Sequence, residues 1–169
     1  MWCTMANEQA KYPQDINILF LDVDGVLNTT KDQSLCPKMI KRLSYIINKT
    51  KCKICLSTSW RTSESAKSKL FEELKLKGNI KIDEIYIGDT PTIYHKPRAY
   101  EIEAFLNSIC EDLYKVTKWV AIDDMSLNKP EFESRKQILT ECASIMNNHF
   151  ILTNDEIGLT DDNAKQVIA

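Results

Sequence analysis

Residues 16–21 (INILFL) are apolar except for Asn17, as expected of a strand that is buried on both faces of a sheet. Further segments rich in apolar residues predict strands at residues 53–57, 82–87, 119–122 and 150–152. Stretches with helical spacing of apolar residues alternate with them, at residues 37–47, 63–76, 97–109, 131–144 and 162–168. This alternation favours parallel pairing with right-handed crossovers. We therefore predict a doubly wound, Rossmann-like α/β fold, with a parallel sheet in a three-layer α/β/α arrangement.

The length of 169 residues fits one domain, which we place at residues 15–169, after a polar arm at residues 1–14 that we expect to be flexible. The net charge of −2 lacks the basic excess of a general nucleic-acid or membrane-surface binder. No apolar signal region or membrane-spanning run is found, so we expect a cytoplasmic protein with no membrane partner. Its cysteines are then expected to be reduced. Cys52 and Cys55 have the spacing of a redox motif, but on a strand they would face opposite sides.

Two carboxylates follow the first apolar run, in the segment Asp22-Val23-Asp24-Gly25. Asp22 comes directly after the run, and the alternation of a strand puts Asp24 on the same side. Gly25 then lets the chain turn away. Two carboxylates at one strand end repel each other and need a cation or a shared proton. Mg²⁺ suits such oxygens and can also bind a substrate phosphate, whereas the simpler alternative is a solvated acidic turn.

Three more polar motifs lie near the carboxyl ends of predicted strands, where doubly wound sheets bind ligands. Residues 57–61 (STSWR) offer hydroxyls and a guanidinium to a phosphate, although such residues also end strands and cap helices. Residues 95–98 (HKPR) place cations at a helix start, which favours an anion but also fits a solvated basic turn. Asp123 and Asp124 follow the fourth strand, a placement that is costly unless a cation compensates.

The four motifs follow one another as an acid pair, a hydroxyl, a lysine and a second acid pair. In this order and in these residue types, residues 19–125 resemble the haloacid dehalogenase-like (HAD) superfamily. Four shorter strings resemble, more narrowly, the HAD domains of Swiss Army Knife RNA-repair proteins. These strings are residues 21–28 (LDVDGVLN), residues 57–61, Glu101-Ile102 with Phe105-Leu106, and residues 158–160 (GLT). The resemblance implies that residues 15–169 form a single HAD-like catalytic domain of the capless phosphatase type.

The superfamily pattern implies a role for each acid. Asp22 would be the nucleophile that forms an aspartyl-phosphate, and Asp24 would be the general acid and base. Mg²⁺ would be held by Asp22, by Asp24 through its backbone carbonyl, and by Asp123 or Asp124.

The hydroxyl and lysine roles each have two candidates in the superfamily pattern. The hydroxyl role falls on Thr58 or Ser57, and we prefer Thr58 because the pattern places the hydroxyl just before the turn. The catalytic lysine role fits Lys96, which a proline follows. When the family pattern is aligned on Glu101-Ile102 instead, Arg98 takes this place. The predicted substrate-binding residues are Ser57, Ser59, Arg61 and Arg98.

The spacing of the motifs leaves no room for a large cap, because one helix and one strand already fill residues 25–57. An open site suits a large phosphorylated partner, such as a nucleic-acid end or a phosphoprotein, although the mild charge does not favour nucleic acid. We therefore expect a magnesium-dependent phosphatase. The alternatives are a catalytically weak module that binds a phosphorylated ligand and a phosphotransferase of the same superfamily.

Overall fold

The computed structural model describes residues 13–109, 111 and 113–169. The strands are β1 (Gln14–Leu21), β2 (Lys53–Leu56), β3 (Tyr86–Asp89), β4 (Tyr114–Asp123) and β5 (Phe150–Leu152). The helices are α1 (Pro37–Thr50), α2 (Glu64–Gly78), α3 (Ile82–Ile85), α4 (Arg98–Ser108), α5 (Lys136–Ile145) and α6 (Asp161–Ile168), and a 3₁₀ turn spans Ser59–Thr62. The arm predicted at residues 1–14 lies almost wholly outside the described residues, and Gln14 already belongs to β1.

The strands form one parallel sheet in the order β3-β2-β1-β4-β5. The chain builds β2 and β3 on one side of β1, and then crosses over to build β4 and β5 on the other. Because helices cover both faces, this is the predicted doubly wound, three-layer α/β/α fold. The strand order reverses between β1 and β4, and sheets of this kind bind ligands outside the carboxyl ends of the strands at such a point.

The central strand β1 separates two buried cores. Leu19 and Leu21 pack with side chains of α1, α2 and α6 on one face. Ile18 and Phe20 pack with side chains of α4 and α5 on the other. All four residues are at most 1% exposed, which explains why residues 18–21 are apolar on both faces of the sheet. Packing in both layers fixes β1, and with it the residues that leave the sheet after Leu21.

The region between α2 and β3 differs from the prediction of a strand over residues 82–87. Residues 82–85 form the short helix α3, and the strand β3 begins only at Tyr86. Acidic residues in the first turn favour the helix over the strand at this point. The left-handed residue after α2 is Asn79, with a φ of 51°, and Gly78 is the last helical residue. Packing explains this glycine, since a Cβ there would lie 2.8 Å from Ile40.

The two cysteines with redox-motif spacing lie inside the protein. Cys52 and Cys55 are buried in opposite cores, as the strand alternation predicts. Burial raises the pKa of both thiols, which keeps them protonated and unsuited to redox chemistry. Within the described part of the chain, no helix is long and apolar enough to cross a membrane.

Candidate active site

The carboxyl ends of three neighbouring strands lie level at one edge of the sheet. The register pairs Leu21 of β1 with Ile122 of β4. Backbone hydrogen bonds extend this alignment, because the N–H of Asp22 donates to the carbonyl of Ile122 at 3.1 Å and the N–H of Ser57 donates to that of Leu21 at 2.9 Å. Asp22, Ser57 and Asp123 therefore lie side by side where the strands end.

Three carboxylates meet at this edge. Asp22, Asp123 and Asp124 each offer an oxygen, and these oxygens all lie within 4.8 Å of one another. Asp22 is 4% exposed and Asp123 is 1% exposed, while Asp124 is half-buried. Burial raises the pKa of Asp123 and of Asp124, and the negative charge of Asp22 adds to this effect. The cluster therefore needs a compensating cation to be stable as carboxylates.

The cation in contact with this cluster is Arg98, the first residue of α4. Its Nη1 donates to Oδ2 of Asp22 at 2.8 Å and also to Oδ2 of Asp123. Burial lowers the pKa of Arg98, but the two carboxylates outweigh this effect and raise it above its ordinary value. Lys96 lines a groove together with Arg98, but its Nζ lies over the Tyr100 ring, 4.6 Å from the ring centre. The structure thus brings Arg98, and not Lys96, to the acid pair.

The donor set of the cluster fits a magnesium ion. Asp22, Asp123 and Asp124 provide only carboxylate oxygens, and Mg²⁺ prefers a few such ligands together with retained waters. Two of the three are buried, so an ion would offset charges that are shielded from bulk water. The carboxylate of Asp24 lies outside this set, which leaves its backbone carbonyl as the predicted ligand atom.

Asp24 is exposed to solvent, yet both of its carboxylate oxygens accept a hydrogen bond. Nδ2 of Asn28 donates to Oδ1 at 2.8 Å, and Nε1 of Trp60 donates to Oδ2 at 3.0 Å. Asn28 is 1% exposed, and its own Oδ1 accepts from the N–H of Gly25 at 3.0 Å. Neither Asn28 nor Trp60 has a role in the sequence prediction. The four-residue spacing from Asp24 would indicate Asn28, whereas no local pattern indicates the contact with Trp60.

Gly25 permits a close approach between the turn after β1 and the turn after β4. Its φ of +67° is left-handed, which favours glycine. Its carbonyl accepts from Oγ1 of Thr153 at 2.9 Å. A Cβ at this position would lie 2.6 Å from Asp124, closer than real contacts allow. The turn glycine is therefore required by the backbone and also by a candidate metal ligand.

The hydroxyls of residues 57–61 (STSWR) have separate environments. Ser57 is 2% exposed, and its Oγ has no hydrogen-bond partner among the described residues. Thr58 is fully buried, and its Oγ1 accepts from the N–H of Trp60 at 3.4 Å, which caps the 3₁₀ turn. Ser59 is exposed at the start of this turn. Because a buried hydroxyl without a partner needs an explanation, Ser57 fits a phosphate-binding role better than the preferred Thr58.

Arg61 is engaged inside the protein. Its Nη2 donates to Oε2 of Glu101 at 2.8 Å, and this ion pair is 8% and 10% exposed. Its Nε donates to the carbonyl of Thr90 at 2.9 Å and its Nη1 to that of Thr58 at 2.6 Å. Arg61 therefore anchors the 3₁₀ turn to α4 and to the residue after β3. These contacts favour a structural role over the predicted substrate-binding role.

Two grooves open on the carboxylate edge and share Arg98. One of about 350 Å³ is also lined by Asp124, and one of about 660 Å³ is also lined by Ser59. Both reach Met125 and Phe132, which are exposed apolar side chains. A larger cavity, of about 710 Å³, is lined by β1, β4 and the end of α6 and includes none of the site residues. The grooves that meet at Arg98 are therefore the candidate path for a substrate.

The strand order reverses beside Asp22, which follows β1, and beside Asp123 and Asp124 at the end of β4. This arrangement fits the HAD-like domain that the sequence resembles. A family model described as the HAD domain in Swiss Army Knife RNA repair proteins matches residues 18–164, so the chain belongs to this family. The match includes every candidate site residue and supports phosphatase-like hydrolase chemistry of the HAD superfamily. No curated protein and no solved structure matches the chain.

Proposed function

We propose that this domain is a magnesium-dependent phosphatase that hydrolyses phosphomonoesters through an aspartyl-phosphate. The observation that carries the proposal is the meeting of Asp22, Asp123 and Asp124, whose oxygens lie within 4.8 Å of one another. A separate, exposed carboxylate is present at Asp24. The buried acids suit a nucleophile beside a metal, and the exposed acid suits proton transfer with a substrate and water.

The reaction has two steps. In the first step, an Oδ atom of Asp22 bonds to phosphorus while the bond from phosphorus to the leaving oxygen breaks, and Asp24 gives its proton to that oxygen. In the second step, Asp24 takes a proton from water, whose oxygen bonds to phosphorus while the bond from phosphorus to Asp22 breaks. Both acids return to their starting state, and the products are an alcohol and phosphate.

Five side chains would support these steps. Asp22, Asp123 and Asp124 would hold magnesium, with the backbone carbonyl of Asp24 as a further ligand. When bound, the ion would offset the negative charge of the phosphoryl group. Arg98 orients Asp22 through its Nη1. The free Oγ of Ser57 is able to donate a hydrogen bond to a phosphate oxygen.

We further propose a large substrate, with a nucleic-acid end favoured over a phosphoprotein. Between β1 and β2 the chain forms α1 and loops, and between β3 and α4 only residues 90–97 intervene, so neither insertion forms a cap domain. The two grooves that meet at Arg98 extend past exposed Phe132 and offer room for a leaving group beyond the phosphate. The family description, which names RNA repair proteins, supports the nucleic-acid end.

Hydrolysis of 4-nitrophenyl phosphate, with and without Mg²⁺, tests the chemistry. We expect magnesium-dependent turnover that Asp22→Asn abolishes without loss of the fold, because an amide is not a nucleophile for phosphorus. Asp15→Asn is the matched control, since Asp15 lies exposed in the same strand. Equal activity in the Asp22→Asn protein would refute the covalent mechanism.

A second assay separates the alternatives. Phosphate binding without turnover in the intact protein would favour a binding module over an enzyme. Transfer to an added alcohol in excess of hydrolysis would favour a phosphotransferase. A substrate panel of nucleotides, oligonucleotide ends, sugar phosphates and phosphopeptides then tests the proposed preference, and higher kcat/KM for sugar phosphates would contradict it.

A further inference from the structure

The carboxylate of Asp24 is held from two sides by donors on different segments of the chain. Asn28 donates to one oxygen at 2.8 Å from the turn after β1. Trp60 donates to the other oxygen at 3.0 Å from the 3₁₀ turn after β2. An exposed aspartate without such partners samples several rotamers. The two donors therefore fix both the position and the plane of this carboxylate.

The indole of Trp60 is itself held in place. The backbone N–H of Trp60 donates to Oγ1 of Thr58, which caps the 3₁₀ turn. The next residue, Arg61, anchors the same turn through its buried ion pair with Glu101. The side chain of Trp60 is half-buried and packs against the core that contains Leu19 and Leu21. The N–H of this ring thus reaches Asp24 from a rigid support.

We propose that Trp60 is a positioning residue for proton transfer: its indole N–H holds the Asp24 carboxylate in the orientation from which the proton passes to the leaving oxygen. This inference rests on the proposed phosphatase function. Each carboxylate oxygen has more than one acceptor site, so an oxygen bonded to Trp60 or Asn28 can still take part in the transfer. Indole nitrogen donates only, which suits a partner that orients an acid without competing for its proton.

The proposal predicts that the loss of this hydrogen bond depends on the leaving group. An alkoxide is a strong base, and its departure needs a well-placed proton. A 4-nitrophenolate is a weak base and leaves with little help from an acid. A defect in the position of Asp24 should therefore slow the hydrolysis of alkyl phosphates much more than that of 4-nitrophenyl phosphate. General damage to the site would slow both reactions equally.

The test compares kcat/KM of the wild type and Trp60→Phe, with Mg²⁺, on 4-nitrophenyl phosphate, phenyl phosphate and an alkyl phosphate. Phenylalanine keeps an aromatic ring and removes the N–H. We expect kcat/KM to fall about tenfold or more for the alkyl ester and less than about threefold for the nitrophenyl ester, within the range that acid catalysis supplies. Trp119→Phe is the matched control, because Trp119 stacks on His149 away from the site and should show no such dependence.

A double variant tests whether Trp60 acts through Asp24. In an Asp24→Asn background, Trp60→Phe should cause no further loss that depends on the leaving group, because the acid is already absent. An equal loss on all three esters, an unchanged Trp60→Phe enzyme, or a persistent effect in the Asp24→Asn background would overturn the inference alone. If the wild type hydrolyses none of the esters, the proposed phosphatase function fails, and this inference fails with it.

Discussion

Replacement of Gly25 by alanine should damage the protein in two distinct ways. The residue has a φ of +67°, a left-handed conformation that an L side chain adopts at a cost of roughly 1 kcal/mol. The new Cβ would also lie 2.6 Å from the Cβ, Cγ and Oδ2 atoms of Asp124. Because Asp124 belongs to the candidate metal cluster, this side chain must move away and the ligand set must open.

Gly158→Ala is a matched control for the backbone part of this effect. Gly158 has a φ of +73°, so alanine meets the same left-handed strain. Its Cβ would contact the end of the Met39 side chain, which is flexible, and lie 3.1 Å from the carbonyl of Val26. Neither residue belongs to the carboxylate cluster. The two variants therefore share the strain, but only Gly25→Ala disturbs the ligands.

Urea unfolding without Mg²⁺ measures the backbone strain, and the change in unfolding free energy on adding Mg²⁺ measures the damage to the metal ligands. Without the ion, both variants should lose about 1–3 kcal/mol of unfolding free energy, from strain and local displacement. At ten times its Kd, bound magnesium should stabilise the wild type by about 1.4 kcal/mol. We expect Gly158→Ala to keep this increment and Gly25→Ala to lose most of it. An equal magnesium increment in the two variants would refute the idea that Gly25 makes room for a metal ligand.

Two other changes separate functional residues from structural ones. Ser57→Ala removes a hydroxyl that has no partner in the described part of the chain, so the unfolding free energy should change by less than about 0.5 kcal/mol, while inhibition by inorganic phosphate weakens about tenfold. Thr58→Ala should instead destabilise the fold by about 1 kcal/mol through the lost cap, and the opposite pattern would restore Thr58 as the phosphate ligand. Arg61→Met should lose about 3–5 kcal/mol of unfolding free energy, because Glu101 is left buried and unpaired. Arg61→Met with Glu101→Leu should recover part of this loss, whereas a stable single variant with weakened phosphate binding would support a substrate-binding role.

The order of the strands and helices along the chain could be predicted from the spacing of apolar residues. Residues 18–21 are buried on both faces of the sheet, and such an apolar run at the head of alternating strands and helices favours a central parallel strand. The prediction at residues 82–87 (IDEIYI) is different, because two acids interrupt the apolar residues and so short a segment fits a strand or a helical turn equally well. Tertiary context decides there, since only residues from Tyr86 onward pair with β2.

The acids of the site were predictable for a related reason. Asp22 and Asp123 follow apolar strands directly, and parallel strands bring their carboxyl ends to one edge. The hydrogen-bond partners of individual side chains have no comparable pattern in the sequence. The choice between Ser57 and Thr58 depends on which hydroxyl caps the 3₁₀ turn, and the contact between Trp60 and Asp24 joins residues 36 positions apart.

Local backbone geometry explains why Arg98, and not Lys96, contacts Asp22 and Asp123. Pro97 is extended, with a φ of −60° and a ψ of 152°, and it separates Lys96 in the loop from Arg98 at the first position of α4. Both residues line the groove of about 660 Å³, but it is Arg98 that bonds Asp22 and Asp123. Within the described residues its hydrogen bonds all come from Nη1, so Nη2 and Nε keep donor capacity. This donor capacity supports the proposal that Arg98 holds both acids and also meets a phosphate oxygen, in the place of the lysine of the superfamily pattern.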